Sequence, residues 1–287
     1  SVVTQYDMHE LARLGLLKID VLSLRVLTVI DDAVRRLRAR GVGVDVDALP
    51  EDDPAALSLI SRGDTAGLFQ LDTPGMRETA RRVGVACFPD LVVLLALYRP
   101  DTLPVLEEYV ARKRGDRPAD PPHRLLGPLL AETYGILLYQ EQIQQAAVTL
   151  AGFTPGRGDL LRRAIAARDE PALARLRTAF LDGCRRRRIR GDEASALLAR
   201  LETCCRYGFS KAHSVAYARL VFRTAWLKAH HPVEFLAAAL TADVDDAGRL
   251  AALLAETRAA GVRMLGPDIN RSAAGFGIRL DAGTAYS

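Results

Sequence analysis

The sequence is poor in the residues that staple small proteins together or anchor chains in membranes. Its four cysteines, Cys87, Cys184, Cys204 and Cys205, show no paired spacing that would build a disulfide framework or a zinc site. Two of them are adjacent, which suits neither role, and all four read as small buried thiols in a reducing compartment. No uncharged apolar run reaches the roughly 18 residues that a membrane helix requires. The opening residues, Ser1 to Gln5, lack the charged and apolar regions of a signal peptide, so a cytoplasmic location and no membrane partner are expected. The adjacent His230 and His231 point about 100° apart on a helix and do not share a metal ion. There is no Walker-type phosphate loop, no dinucleotide fingerprint, no internal repeat and no low-complexity tract.

What is present is an apolar fraction of 49% in 287 residues, enough to core one large domain or two modest ones. Net charge is only +4, but it is unevenly spread. Residues 157–190 hold eleven arginines against four acids, and residues 203–233 hold five Lys or Arg and no acid. Such a block suits a phosphate-rich partner, because neutralising phosphates releases condensed counterions. An arginine-rich solvated helix face and a docking surface for an acidic protein are the alternatives. Both ends read as cuts: the start has no initiator Met, and the end stops just after a hairpin beginning.

Residues 16–22 alternate, with Leu17, Ile19 and Val21 on one side and Lys18 and Asp20 on the other, the period of a strand. A helix follows over 24–40 with Gly41 as its stop. After an acid-rich loop, helices are predicted at 54–61, 74–84, 89–97, 104–114, 126–133, 138–151, 158–168, 171–188, 192–205, 213–230, 232–242 and 246–260, with Pro171 and Pro232 in first turns. Pro118 to Pro122 reads as a surface loop. Short strands are predicted at 262–265 and 275–280, the second followed by a turn at Asp281 to Gly283. The fold class is therefore mainly α with small β contributions near each end.

Three stretches carry chemistry. Lys18 and Asp20 place a cation and a carboxylate on one face of the expected strand, a geometry that suits a metal-holding carboxylate beside a phosphate-binding cation. Thr154 to Arg163 is a turn opening a helix with the pair Arg162 and Arg163, whose planar forks can hold phosphate oxygens bidentately. Arg206 to Tyr217 is a glycine-containing, aromatic-rich loop meeting the start of a long helix, with Lys211 and His213 at the junction. That helix end carries free backbone donors and positive dipole, so an anion is expected there. Rings interleaved with cations also suit stacking on bases or sugars. The strings Asp45-Val46-Asp47 and Asp243-Val244-Asp245 read as solvated turns, and Glu141 as part of helix packing or a hydrogen-bonded network.

Eight motifs in order, from Lys18-Ile19-Asp20-Val21-Leu22 through Gly67-Leu68-Phe69-Gln70-Leu71, Tyr98-Arg99-Pro100, Thr133 to Gln142, Leu161-Arg162-Arg163-Ala164, Tyr207 to Ser214 and Trp226 to His230, to Pro267-Asp268-Ile269-Asn270, resemble those of the bacterial DNA polymerase III alpha subunit family. The resemblance implies a C-family DNA polymerase segment: the end of a palm over 1–30, helical fingers over 31–270, and the start of a further domain over 271–287. It implies that Asp20 is the third of three palm carboxylates that bind two Mg2+ ions, with Lys18 beside it. Arg162 and Arg163 would lie near the triphosphate of an incoming deoxynucleoside triphosphate. Tyr207, Lys211 and His213 would line the nucleotide pocket, His213 crowding the sugar against a 2′-hydroxyl. Primer-template DNA is the implied partner, with a sliding clamp and other replisome subunits contacted through regions outside this chain.

The other two palm carboxylates would lie upstream, so the chain alone is expected not to extend a primer. Three departures from the family pattern stand at Ser23, at Arg99-Pro100-Asp101-Thr102 and at Ala166-Ala167-Arg168-Asp169. An error-prone translesion paralogue is one alternative, and a non-catalytic helical nucleic-acid-binding module is another.

Overall fold

The computed structural model describes residues 2–99 and 102–279. Its regular structure among these residues is fourteen α-helices: α1 Met8–Arg13, α2 Arg25–Ala39, α3 Pro54–Ser61, α4 Pro74–Val83, α5 Phe88–Leu97, α6 Leu103–Arg114, α7 Gly127–Leu130, α8 Gln140–Ala151, α9 Pro155–Ala167, α10 Glu170–Arg186, α11 Gly191–Tyr207, α12 Lys211–His230, α13 Pro232–Ala242 and α14 Ala247–Ala259. Short 3-10 turns at Arg124–Leu126 and Ala131–Thr133 flank α7.

Local chemistry explains where these helices start and stop. The side chains of Asp53, Thr73, Thr154 and Asp169 each accept a hydrogen bond from a first-turn N–H, and a proline follows at the first or second helical position. Ser210 caps α12 through the His213 N–H. Gly41, at φ 79°, supplies the left-handed residue just beyond α2.

The strand expected over 16–22 does not form. That stretch is extended coil, and Leu17, Ile19 and Val21 are 83%, 73% and 91% exposed. Among the described residues, every hydrogen bond and ion pair of residues 2–23 stays within that segment. A period of two becomes a strand only against a neighbour that completes the ladder, and none lies beside it among the described residues. The expected strand at 262–265 is likewise coil, with Val262 and Met264 resting on the helical core. Residues 275–279 dock through side chains instead of a ladder: the Phe276 N–H donates to Thr241 Oγ1 at 3.0 Å, and Arg36 donates to the Phe276 carbonyl at 2.7 Å. Leu280 and the turn at Asp281 to Gly283 lie outside the described residues.

Two apolar cores organise the chain. The first draws on α2 to α6 and on α12 to α14, and the second on α7 to α11. At the centre of the first, α12 packs against α2, α3, α5 and α13. Helix α2 is continuous across residue 31. In the second core, α10 lies so close to α8 that a Cβ on Gly183 would sit 2.9 Å from Ala151 Cβ.

Cys184 and Cys204 are buried in the second core, and burial pushes their thiols up to about 11 and about 12, so both stay protonated at neutral pH. Cys87 is exposed, contrary to the buried reading. Asp243 departs from the solvated turn expected of it: it is buried and accepts from Arg25 and from Arg249 Nε. Among the described residues no helix is long and apolar enough to cross a membrane.

The cores meet along a short seam. Residues 136–139 run extended, with Ile136, Leu138 and Tyr139 buried in the first core and Leu137 in the second. Against this run lies the loop between α11 and α12. The Phe209 N–H donates to the Leu138 carbonyl at 3.1 Å, and the Gln140 N–H donates to the Phe209 carbonyl at 2.9 Å. Tyr139 and Phe209 thus form a single parallel bridge. Helices α8 and α12 both begin at this seam.

Candidate functional site

Two of the three predicted groups of site residues come together at the seam. Gln140, first residue of α8, joins them. Its side-chain N–H donates to the Gly208 carbonyl at 3.2 Å, while its Oε1 accepts from Arg162 Nη1 at 3.2 Å. Two buried hydrogen bonds fix the start of α8 below it: Gln142 Oε1 accepts from the Leu138 and Tyr139 N–H groups at 2.8 and 2.9 Å. The Gln142 amide in turn donates to Thr133 Oγ1 at 3.0 Å.

Arg162 is half-buried and tightly oriented. Its Nε and Nη2 donate to Asp159 Oδ1 at 3.0 and 2.8 Å, and Nη1 donates to Gln140. A guanidinium has five N–H donors, so about two remain, one on each terminal nitrogen, in a fixed fork. Arg163, 69% exposed, pairs with Asp159 Oδ2 at 2.7 Å. The hydrogen bond from Arg162, with both guanidinium charges, holds the Asp159 carboxyl below the usual carboxylate range.

The anion expected at the start of α12 is supplied by the chain itself. Glu141 accepts from the Lys211 N–H at 3.0 and 2.9 Å, from the Ala212 N–H at 3.4 Å and from Ser210 Oγ at 3.2 Å. The carboxylate thus fills the positive end of the helix dipole and ties α8 to α12. Lys211 Nζ is not a free cation either, since it donates to both oxygens of Glu132 at 2.8 and 2.7 Å, near the face of Tyr139.

His213 is exposed on the first turn of α12, between Phe209 and Tyr217. Tyr207 is turned the other way. Its ring packs on the second core and its hydroxyl donates to the Leu137 carbonyl at 3.3 Å, while burial raises its pKa. Its backbone carbonyl accepts from Arg99 Nη2, and the Arg99 guanidinium carbon lies 4.7 Å from the Phe209 ring centre.

Residues not singled out as site members hold it together: Arg99, Gln140 and Glu141 by polar contacts, and Tyr217 by its ring, which Phe69 backs at 5.3 Å. The signal for Tyr217 was available, because it stands four residues after His213 on a predicted helix, on the same face.

Lys18 and Asp20 stand apart. They pair with each other at 3.0 Å, 60% and 66% exposed, and touch none of the residues at the seam. Magnesium demands a near-octahedral set of oxygens. Among the described residues no group of three or more His, Cys, Asp or Glu side chains could hold a metal ion. One exposed carboxylate with a lysine on it does not fit a two-ion centre among the described residues.

Residues 26–188 match the bacterial DNA polymerase III alpha subunit finger domain. The chain is similar to the DNA polymerase III subunit alpha of Thermus aquaticus, 43% identical over 284 residues, covering 97% of this chain and 23% of that protein. It is 40% identical over 288 residues to the Deinococcus radiodurans subunit, covering 96% of this chain and 22% of that one. The Escherichia coli K12 subunit is 36% identical over 296 residues, covering 99% of this chain and 26% of that one. The chain spans about a quarter of the length of these curated relatives. A match over more than half its residues, together with these relatives, shows that the chain belongs to the finger-domain family of the bacterial DNA polymerase III alpha subunit.

Proposed function

We propose that this chain is the nucleotide-binding fingers of a DNA-directed DNA polymerase, receiving the incoming deoxynucleoside triphosphate at the seam between its two cores. The single observation that carries this reading is the junction at Gln140, which holds the Arg162 fork and the 206–213 loop in one rigid frame. In this reading Arg162 grips phosphate oxygens with its two remaining N–H groups, and Arg163 adds an exposed charge beside it. Asp159 and Gln140 act on the nucleotide only through Arg162, by fixing its plane.

Glu141 and Ser210 fix the start of α12, and with it His213, which stands against the sugar. Lys211 is a cation at the rim of the pocket, held by Glu132 until a triphosphate draws it away. Tyr207 serves mainly through its carbonyl, which anchors the Arg99 guanidinium beneath Phe209. The fingers extend beyond the matched residues to α14, because α12 to α14 share the first core with α2 to α6. Residues 2–23 contribute Lys18 and Asp20 to the palm, Asp20 as one carboxylate of a magnesium site completed by residues outside this chain. Primer-template DNA lies along the exposed arginines of residues 157–190.

A ternary-complex titration separates this reading from a non-catalytic nucleic-acid-binding module. In a full-length alpha subunit carrying this segment, with a primer ending in a dideoxynucleotide, the next complementary deoxynucleoside triphosphate is expected to tighten primed-DNA binding about 5-fold or more. Mismatched triphosphates are expected to leave affinity unchanged. A complex indifferent to every nucleotide would favour the module instead.

A further inference from the structure

Phe69, Tyr217, His213 and Phe209 form one column of rings. Tyr217 stacks on His213 with centroids 4.2 Å apart and planes 28° from parallel. Phe69 backs Tyr217 at 5.3 Å, and Phe209 meets the imidazole edge-on at 5.3 Å. The column is graded in exposure: His213 is exposed, while Tyr217, Phe69 and Phe209 are half-buried. Among the described residues the His213 ring makes no hydrogen bond, while its backbone N–H donates to Ser210 Oγ. An exposed side chain without a polar partner samples several rotamers. Ring packing alone therefore sets the plane of this imidazole.

We infer that Tyr217, supported from behind by Phe69, is a positioning residue that sets sugar selection at the nucleotide site by holding the His213 ring in place. This rests on reading His213 as the wall against the sugar. A wall rejects a 2′-hydroxyl only if it cannot swing aside, since selection by clash requires a rigid obstacle. Tyr217 need not touch the nucleotide for this. Its effect falls on the ribonucleotide far more than on the deoxyribonucleotide, which fits whether or not the ring is fixed.

The test compares kcat/KM for a deoxynucleoside triphosphate with that for its ribonucleotide counterpart, in a full-length alpha subunit carrying this segment. Tyr217→Leu is expected to lower the ratio about 10-fold, the scale of a lost ring-on-ring contact. Tyr217→Phe keeps the ring and is expected to keep the ratio. Loss of folded protein scales both nucleotides alike and cancels in the ratio. If Tyr217→Leu is insoluble, Phe69→Leu, which loosens Tyr217 from behind, takes its place with the same direction expected. His213→Ala is the reference. If it lowers the ratio and Tyr217→Leu does not, the inference is overturned while the reading of His213 stands. If His213→Ala itself leaves the ratio unchanged, that reading fails and the inference falls with it.

Discussion

Replacing Arg162 with alanine in a full-length alpha subunit carrying this segment is expected to raise the KM for every deoxynucleoside triphosphate about 100-fold, because two charge-assisted hydrogen bonds to phosphate are lost. The guanidinium is pinned by Asp159 and Gln140 before any nucleotide arrives, so little entropy is lost when it binds. Lysine at the same position keeps the charge without the fork and is expected to recover only part of the loss. Asp159→Asn leaves the guanidinium in place but loosens it, and its KM should rise less than that of Arg162→Ala. Steady-state kinetics on the three variants checks the order. Equal KM values for Arg162→Ala and the parent would remove Arg162 from the site.

Asp90→Asn is expected to lower folding stability by about 3 kcal/mol at neutral pH, the low end for breaking a buried ion pair, because it leaves the half-buried Lys113 without its counter-charge. The Asp90 carboxylate is buried at the start of α5. It accepts from the Ala86 and Cys87 N–H groups at 2.9 and 3.2 Å and from the Tyr109 hydroxyl at 3.0 Å, and it pairs with Lys113 at 2.7 Å. Once Asp90 is neutral, Lys113 keeps only the Val83 and Gly84 carbonyls.

The pH dependence has a definite sign. Burial is the largest single influence on Asp90 and acts to raise its pKa, but Lys113 and the backbone N–H groups together outweigh it, so the net shift is downward. A depressed carboxylate contributes stability above its unfolded pKa of about 3.9, and that contribution is lost as pH falls through the lower folded value. Urea midpoints for the parent and Asp90→Asn should therefore stay separated from pH 7 down to about pH 4 and draw together only below it. Midpoints that coincide at pH 7 would contradict the assignment.

The helices were legible because local chemistry decides them. Asp53-Pro54 starts α3 at the expected residue, and Gly41 stops α2. At α9 the cap at Thr154 moved the start three residues ahead of the expected one, to Pro155. Helix α1, capped by Asp7, was missed because six residues carry little periodicity. The error at 16–22 has a different origin. Alternation reports what a segment can do against a sheet, and no sheet stands beside it among the described residues.

The site was legible as a set of residue types and illegible as a set of contacts. An arginine pair after a turn is visible in sequence, but the Arg162–Gln140 bond spans 22 residues and the Lys211–Glu132 pair spans 79. The same limit explains Glu141 and Tyr207. Backbone donors at a helix start invite an anion, yet only the packing of α8 against that end reveals that a carboxylate already fills them. The direction of the Tyr207 ring depends on which core claims it, and that follows from α11 packing with α8.

The most direct test of the account is to find where a nucleotide sits. A photoreactive deoxynucleoside triphosphate crosslinked to a full-length alpha subunit carrying this segment, on primed DNA, should label peptides from residues 140–163 and 206–217. Excess natural deoxynucleoside triphosphate should abolish that labelling. Labelling confined to other parts of the protein, or labelling of these peptides that natural nucleotide does not displace, would contradict the placement of the nucleotide at this seam.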